Sequence, residues 1–200
     1  MSTLNPSSTA LLVVHLQHDI VAAGTAFGKL FNPEVQARDV LAQCDKAMET
    51  LREAGGLVVP LRIAFNEDYS NLNASLPLLQ MVAQAGCLKD GSEGAEIIPD
   101  VTLAEGDIVI THQRPGPFTG SELQDVLDSR GIANVVVCGV ATNASVEGAV
   151  RQAADLGYNT LVVSDASSAA DGSSHDASLG SMGLFARIIT VDQFAAELAS

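Results

Sequence analysis

The chain has 200 residues, of which 47% are hydrophobic, so it can bury the core of one ordinary domain. Asp and Glu outnumber Lys and Arg by 24 to 10, and the net charge of -14 argues against nucleic acid or an anionic membrane as a partner. No apolar run is long enough to span a bilayer, and residues 1–8 lack the features of a signal peptide. We therefore expect one cytoplasmic domain over residues 1–200, with a flexible start at 1–8.

Short apolar runs bounded by turn residues predict six strands. The first run follows Thr9 and is continuously apolar, as expected for a strand that is buried on both faces of a sheet. The predicted strands cover residues 9–15, 56–63, 107–111, 134–139, 159–164 and 186–190.

Capping residues and apolar residues at helical spacing predict helices between these strands. Asn32 is interpreted as the N-cap of a helix that has Pro33 in its first turn and ends at Gly55. Ser121 is interpreted as the cap of a helix that runs to residue 128, and Gly131 follows its end. The other predicted helices cover residues 77–85, 142–156, 174–185 and 191–199.

The alternation of strands and helices predicts an α/β fold, a three-layer Rossmann-like sandwich with a mainly parallel sheet and helices on both faces. Ligands of such sheets bind outside the carboxyl ends of the strands. The segments that leave the strands are therefore candidate site segments. They cover residues 14–17, 111–112, 139–142 and 164–166.

Ser145 lies in the predicted first turn of the helix that follows the fourth strand. Free backbone N–H groups and the positive end of the helix dipole meet there, an environment that stabilises a developing oxyanion. Two of the four histidines, His15 and His112, lie at the ends of predicted strands. A serine with nearby imidazoles resembles a nucleophile with candidate bases. The alternative for each residue is structural, with Ser145 as a helix cap and the histidines as hydrogen-bonded core residues.

An ordered set of segments resembles the isochorismatase-like, or cysteine hydrolase, superfamily over essentially the whole chain. The segments are Ala10-Leu11-Leu12-Val13-Val14-x-Leu16-Gln17-x-Asp19, Gly91-Ser92-Glu93-Gly94-Ala95-Glu96-Ile97-Ile98-Pro99, Phe118-Thr119-Gly120-Ser121-Glu122-Leu123, Gly139-Val140-Ala141-Thr142-Asn143-x-x-Val146, Gly157-Tyr158, Ser164-Asp165-Ala166 and His175-Asp176-Ala177-Ser178-Leu179. The resemblance implies a Rossmann-like sandwich, a homodimer or larger homo-oligomer, and a non-proline cis peptide between Val140 and Ala141.

The resemblance also implies hydrolysis of C–N bonds in small amides or ureido compounds by an Asp base, a Lys and a Cys nucleophile. This sequence departs from the family at each of those positions. His15 stands at the Asp position, His112 at the Lys position, and Ser145 at the Cys position. The resemblance therefore supports the fold and the pocket more strongly than it supports the reaction.

Two hypotheses of different classes follow. In the first, Ser145 is the nucleophile of a hydrolase, His15 is its base, protonated His112 replaces the charge of the Lys, and the backbone N–H groups of Ala144 and Ser145 form the oxyanion hole. In the second, the chain is an inactive hydrolase scaffold that binds a small molecule or has a regulatory role. General acid–base hydrolysis without a covalent intermediate is a third alternative, but the Asp that it uses in the isochorismatases is absent.

Other residues have secondary predicted roles. Gln17, Phe27, Arg114 and Ala141 are candidate substrate-binding residues, with Gln17 also able to orient His15. No cofactor motif is present, and the three cysteines have no regular spacing, so we expect no cofactor, no disulfide framework and no zinc finger. A metal held by His15 and His112 with Asp19 or a water is an alternative, and the expected partner is a small-molecule substrate.

Overall fold

The computed structural model describes residues 3–199, which form a six-stranded sheet in the order β3-β2-β1-β4-β5-β6. Every neighbouring pair of strands is parallel. The strands are β1 (Thr9–Val14), β2 (Leu57–Ile63), β3 (Ile110–His112), β4 (Asn134–Val140), β5 (Asn159–Ser168) and β6 (Arg187–Ile189). The order reverses at β1, whose two neighbours are β2 and β4, so the crevice expected at a reversal of strand order opens at the carboxyl end of β1.

Helices cover both faces of this sheet. They are α1 (His18–Val21), α2 (Gly28–Ala37), α3 (Val40–Ala54), α4 (Pro77–Ala85), α5 (Leu123–Ser129), α6 (Glu147–Asp155), α7 (Gly172–Met182) and α8 (Val191–Leu198). Successive residues of β1 show the layering, because Leu11 packs into the core that contains α3 and α8, while Leu12 packs into the core that contains α5 and α6. The predicted three-layer α/β class is therefore confirmed.

The predicted helix from Pro33 to Gly55 is in fact two helices. α2 begins five residues earlier than Pro33, at Gly28, and Asn32 is an interior residue whose side chain donates to Val21 O at 2.8 Å. The chain then breaks at Asp39, which has a left-handed φ of +53°, before α3 begins. Asn32 is consequently not an N-cap, because its side chain ties α2 to α1 instead of accepting a bond from its own helix.

The carboxyl end of β5 also differs from the prediction. Residues 164–166 do not leave the sheet, because the ladder to β4 shifts register and continues with Gly139 opposite Ser167 and Val140 opposite Ser168. Asp165 accepts a hydrogen bond from Val191 N at 2.9 Å and so fixes the start of α8.

The start of the chain is tied to the domain from residue 3 onwards. Leu4 is buried, its N–H donates to Glu197 O at 3.1 Å, and Pro6–Ser8 forms a short 3₁₀ turn that leads into β1. This differs from the expected flexible segment at 1–8, although residues 1 and 2 lie outside the described part of the chain. No helix within residues 3–199 is long and apolar enough to cross a bilayer.

Candidate active site

His15 follows β1 directly and has an unusual backbone conformation. Its φ of +50° lies in the left-handed region that non-glycine residues seldom adopt, and its N–H donates to Leu61 O at 3.2 Å. The side chain is 3% exposed. A buried histidine with an outlying backbone at the central strand exit is the kind of feature that marks a functional site.

His112 ends β3 and reaches the same place from the other side of β2, where it lies opposite Ile63. The Nε2 atoms of His15 and His112 are 3.0 Å apart, and the two rings stack with centroids 4.9 Å apart. The two imidazoles therefore form a buried hydrogen-bonded pair at the carboxyl edge of the sheet.

The hydrogen bonds of His112 determine which atoms carry protons when both rings are neutral. His112 Nδ1 lies 2.8 Å from the carbonyl oxygen of Arg114, which can only accept, so Nδ1 carries the proton. His112 Nε2 then has the lone pair, and the proton between the two rings belongs to His15 Nε2. His15 Nδ1 is consequently left with a lone pair, and it makes no hydrogen bond to any residue from 3 to 199.

Burial keeps both rings neutral. Desolvation, with the neighbouring His112, holds the pKa of His15 well below its ordinary value of 6.5. Desolvation lowers the pKa of His112 to about 4, against a smaller opposing effect of its bond to Arg114 O. This differs from the expectation that a protonated His112 replaces the charge of the family Lys, because an ammonium carries its charge at neutral pH and this imidazole does not.

Ser145 lies in a π-helical turn, Thr142–Val146, between β4 and α6. The turn follows a cis peptide bond between Val140 and Ala141, at the position that the family resemblance implies. Ala141 O accepts from both Ala144 N at 3.1 Å and Val146 N at 3.2 Å. The Ala144 N–H is therefore occupied inside the turn, contrary to its expected place in an oxyanion hole, while the Ser145 N–H makes no such bond to backbone outside the turn.

Ser145 and His15 line one cavity beside the sheet edge, with empty space of about 470 Å³ that is partly open to solvent. The Ser145 side chain makes no hydrogen bond to any residue that the structure describes, and neither imidazole bonds to it. The other residues around the cavity are Ile20, Phe27, Phe31, Ile63, Leu78, Leu79, Val82, Leu88, Pro115, Val140, Ala141 and Ala144. Ser145 and His15 thus line the same cavity, and no hydrogen bond joins their side chains.

The remaining candidate residues divide between this cavity and other places. Phe27 and Ala141 line it. Gln17 does not, because its fully buried amide donates to Ile63 O and Ala95 O and accepts from Ile63 N, which leaves it no contact with His15 or a ligand. Arg114 lines a separate pocket, where its Nη1 donates to Gln113 O at 2.8 Å.

Behind the serine turn lies a polar network that sequence analysis did not identify. Thr142 Oγ1 and His175 Nδ1 are hydrogen-bonded at 2.8 Å, and Ser178 Oγ lies 2.6 Å from the acceptor Glu147 Oε2 and 3.1 Å from the acceptor Thr142 O. The only hint in the sequence was the spacing of His175 and Ser178, three residues apart on one helix face. This network fixes the turn that carries Ser145 against α7.

The site offers few ligands for a metal ion. Within the described residues no three His, Cys, Asp or Glu side chains are grouped so as to hold one. The carboxylate of Asp19, the third ligand considered with His15 and His112, instead accepts from Leu88 N at 2.9 Å.

The fold and site define a class: an α/β protein with a cavity at the reversal of a parallel sheet and a serine in the strand-to-helix turn beside it. Residues 9–193 match the family model for the Isochorismatase domain. The chain belongs to the isochorismatase family.

Relatives and solved structures are similar over nearly the whole chain. The uncharacterized isochorismatase family protein YwoC of Bacillus subtilis (strain 168) is 32% identical, with 90% of this chain and 88% of that protein covered. The ureidoacrylate amidohydrolase RutB of Klebsiella pneumoniae (strain 342) is 30% identical, with 82% and 75% covered. The crystal structure of a cysteine hydrolase from Pseudomonas syringae pv. phaseolicola 1448A superposes with a TM-score of 0.90 at 22% identity, covering 100% and 96% of the two chains.

Proposed function

We propose that this isochorismatase-family protein hydrolyses the C–N bond of a small amide or ureido-type compound, with Ser145 as nucleophile and His15 as base. The observation that carries this proposal is the shared cavity, which is lined both by a serine whose hydroxyl has no partner in the described chain and by an imidazole whose Nδ1 has a lone pair. The similarity to a protein named ureidoacrylate amidohydrolase supports the same reaction class.

The reaction would begin with attack of Ser145 Oγ on the carbonyl carbon while His15 Nδ1 takes the hydroxyl proton. The C–N bond then breaks, His15 returns that proton to the leaving nitrogen, and an acyl ester remains on Ser145. Water attacks the ester, gives its proton to His15, and the acid leaves as the serine oxygen recovers the proton. Such proton transfer contributes about 10² to 10⁴ in rate.

His112 has a positioning role in this proposal. By accepting the Nε2 proton of His15, it keeps the lone pair of His15 on Nδ1. The Ser145 N–H remains as the backbone donor for the oxyanion, in a turn held by Thr142 and His175. The bond between Ser145 and His15 would form when substrate binds, as catalytic hydrogen bonds often tighten only in the substrate complex.

The decisive test replaces Ser145 by Ala and follows release of ammonia from a panel of small primary amides and ureido compounds. We expect turnover to fall by at least about 10³-fold. Ser129→Ala, an exposed serine on α5, is the matched control and should retain full activity. Unchanged turnover in Ser145→Ala would exclude the serine as nucleophile.

A second candidate function is ligand binding without chemistry. It is favoured by one observation, that Ser145 Oγ is bonded to neither imidazole. In that case the same compounds would bind, by calorimetry, with equal affinity to the native chain and to Ser145→Ala, and no ammonia would form from either protein.

We further propose that the chain acts as a single domain in a cytoplasmic homodimer or larger homo-oligomer. Its three cysteines are free thiols, as is usual in a reducing compartment. Light scattering at several protein concentrations gives the oligomeric state, and a mass equal to one chain at all of them would contradict the oligomer. Fractionation of cells that express the tagged chain tests the location.

A further inference from the structure

The cavity beside Ser145 has no charged wall. No Asp, Glu, Lys or Arg is among the described residues that surround it. Ile20 lies in α1, Phe27 in the loop that follows it and Phe31 in α2, while Leu79 and Val82 come from α4. A ligand in this space would therefore contact apolar side chains on most sides.

The two polar side chains among the described residues that line the cavity, Ser145 and His15, already have roles in the proposed reaction. Ser145 Oγ and His15 Nδ1 serve the reacting carbonyl, and the second nitrogen of His15 is bonded to His112. Arg114 cannot supply a charge here, because it lines the separate pocket with Ser70 and Thr119. No polar side chain is left for the part of the substrate beyond the carbonyl.

We infer that the acyl group of the substrate is uncharged and apolar, an amide of an aliphatic or aromatic acid without a second carboxylate. This inference rests on the proposed hydrolysis and names its substrate class. A carboxylate would lose its water in this cavity and find no cation or donor in return, which is strongly unfavourable. Each additional methylene buried against the walls should instead raise kcat/KM by about fourfold, until the cavity is filled.

The sharpest comparison uses two amides of the same size and shape. In 4-methylpentanamide an isopropyl group occupies the place that a carboxylate occupies in succinamate. We expect kcat/KM for 4-methylpentanamide to exceed that for succinamate by at least about a hundredfold, measured by ammonia release. Equal values, or a preference for succinamate, would overturn the inference while leaving the proposed reaction intact.

Two lysine variants of α4 test whether the apolar wall causes the preference. Leu78 lines the cavity and is 38% exposed, so Leu78→Lys can bring a solvated ammonium to its mouth. We expect this variant to raise the ratio of kcat/KM for succinamate to kcat/KM for 4-methylpentanamide by at least about tenfold. Met81, 51% exposed on the same helix and outside the cavity lining, gives the matched control Met81→Lys, whose preference should equal that of the native chain.

Binding measurements distinguish a wrong substrate class from a wrong reaction. If neither amide is hydrolysed, the proposed function fails, and the affinities of both compounds are then measured by calorimetry. Tighter binding of 4-methylpentanamide than of succinamate supports an apolar ligand even then. No binding of either compound, or tighter binding of succinamate, overturns the inference.

Discussion

The histidine pair at the carboxyl edge has a proton arrangement that its hydrogen-bond partners define at the level of single atoms. A carbonyl oxygen at Arg114, which can only accept, fixes the proton on His112, and His112 fixes the proton on His15. One backbone oxygen thereby selects the atom of His15 that can act as a base.

This proton arrangement can be observed directly. We predict that long-range proton–nitrogen correlation spectra at pH 7 show two neutral rings, with His15 protonated on Nε2 and His112 on Nδ1. The two bonds of His112, at 3.0 Å and 2.8 Å, are the reason. A His15 protonated on Nδ1, or a charged ring at that pH, would contradict the arrangement.

The same burial predicts the pH dependence of turnover. A base must be unprotonated, so activity is lost as the pH falls through its pKa, and burial holds the pKa of His15 well below 6.5. We expect the acid limb of kcat/KM to lie clearly below pH 6.5 and His15→Ala to lose about 10² to 10⁴ in rate. An acid limb at or above pH 6.5 in the native chain would argue against His15 as the base.

At the level of elements, the patterns that predict the sheet are strong because buried parallel strands are continuous apolar runs. The strands β1, β2 and β4 could therefore be predicted from their own residues, without tertiary information. The break between α2 and α3 could not be predicted, because apolar spacing continues across it and only the left-handed conformation of Asp39 interrupts the helix. The extension of β5 depends on a register shift against β4, which is a property of the pair of strands.

The left-handed residues that border α3 make a matched pair for a stability test. Asp39 at φ +53° lacks a side-chain capping bond, whereas Gly55 ends α3 at φ +86° with open space where a Cβ would lie. We expect Asp39→Gly to raise the free energy of unfolding by about 0.5 kcal/mol and Gly55→Ala to lower it by about 1 kcal/mol. Urea titration measures both, and a loss of stability in Asp39→Gly would show that its carboxylate has another role.

The helix that supports the serine turn can be tested in the same way. Thr142→Val keeps the shape of the side chain but leaves the buried Nδ1 of His175 without its partner. We expect a loss of about 1 to 3 kcal/mol in the free energy of unfolding, measured by urea titration. Thr160→Val is the control, because the Thr160 hydroxyl bonds only to the nearby carbonyl oxygen of Tyr158. This variant should lose less unfolding free energy than Thr142→Val.

Within the candidate site, the sequence predicts that the chosen residues lie near one another, but it does not predict how they pair. His15, His112 and Ser145 all lie at the edge where parallel strands end, so their proximity follows from the sheet. Which nitrogen faces which neighbour depends on the orientation of each ring, which the sequence pattern does not specify. The positions of Gln17 and Arg114 likewise depend on loops whose paths no local pattern specifies.

For the molecule as a whole, the buried histidines predict how stability responds to acid. The folded pKa values of His15 and His112 lie below the unfolded value of 6.5, so between these values the unfolded chain binds more protons and acid favours it. We expect the free energy of unfolding to fall as pH decreases from 6.5 towards 4, by up to about 1.4 kcal/mol per pH unit for each ring.

A double variant, His15→Gln with His112→Gln, isolates this effect. Its unfolding free energy should depend less on pH over the same window, while His175, whose pKa is also lowered by burial, remains in both proteins. If the unfolding free energy of both proteins has the same slope against pH, His15 and His112 do not take up protons on unfolding.

The imidazole pair also constrains the order in which substitutions can accumulate at this site. His15→Asp alone would bury a carboxylate against the lone pair of a neutral His112, and His112→Lys alone would bury an ammonium beside an imidazole. Each single substitution leaves a buried charge without an opposite charge, whereas the two together give an ion pair without net charge. We therefore expect strong epistasis between these two positions, so that the double variant, His15→Asp with His112→Lys, is more stable to unfolding than the sum of the two single changes predicts.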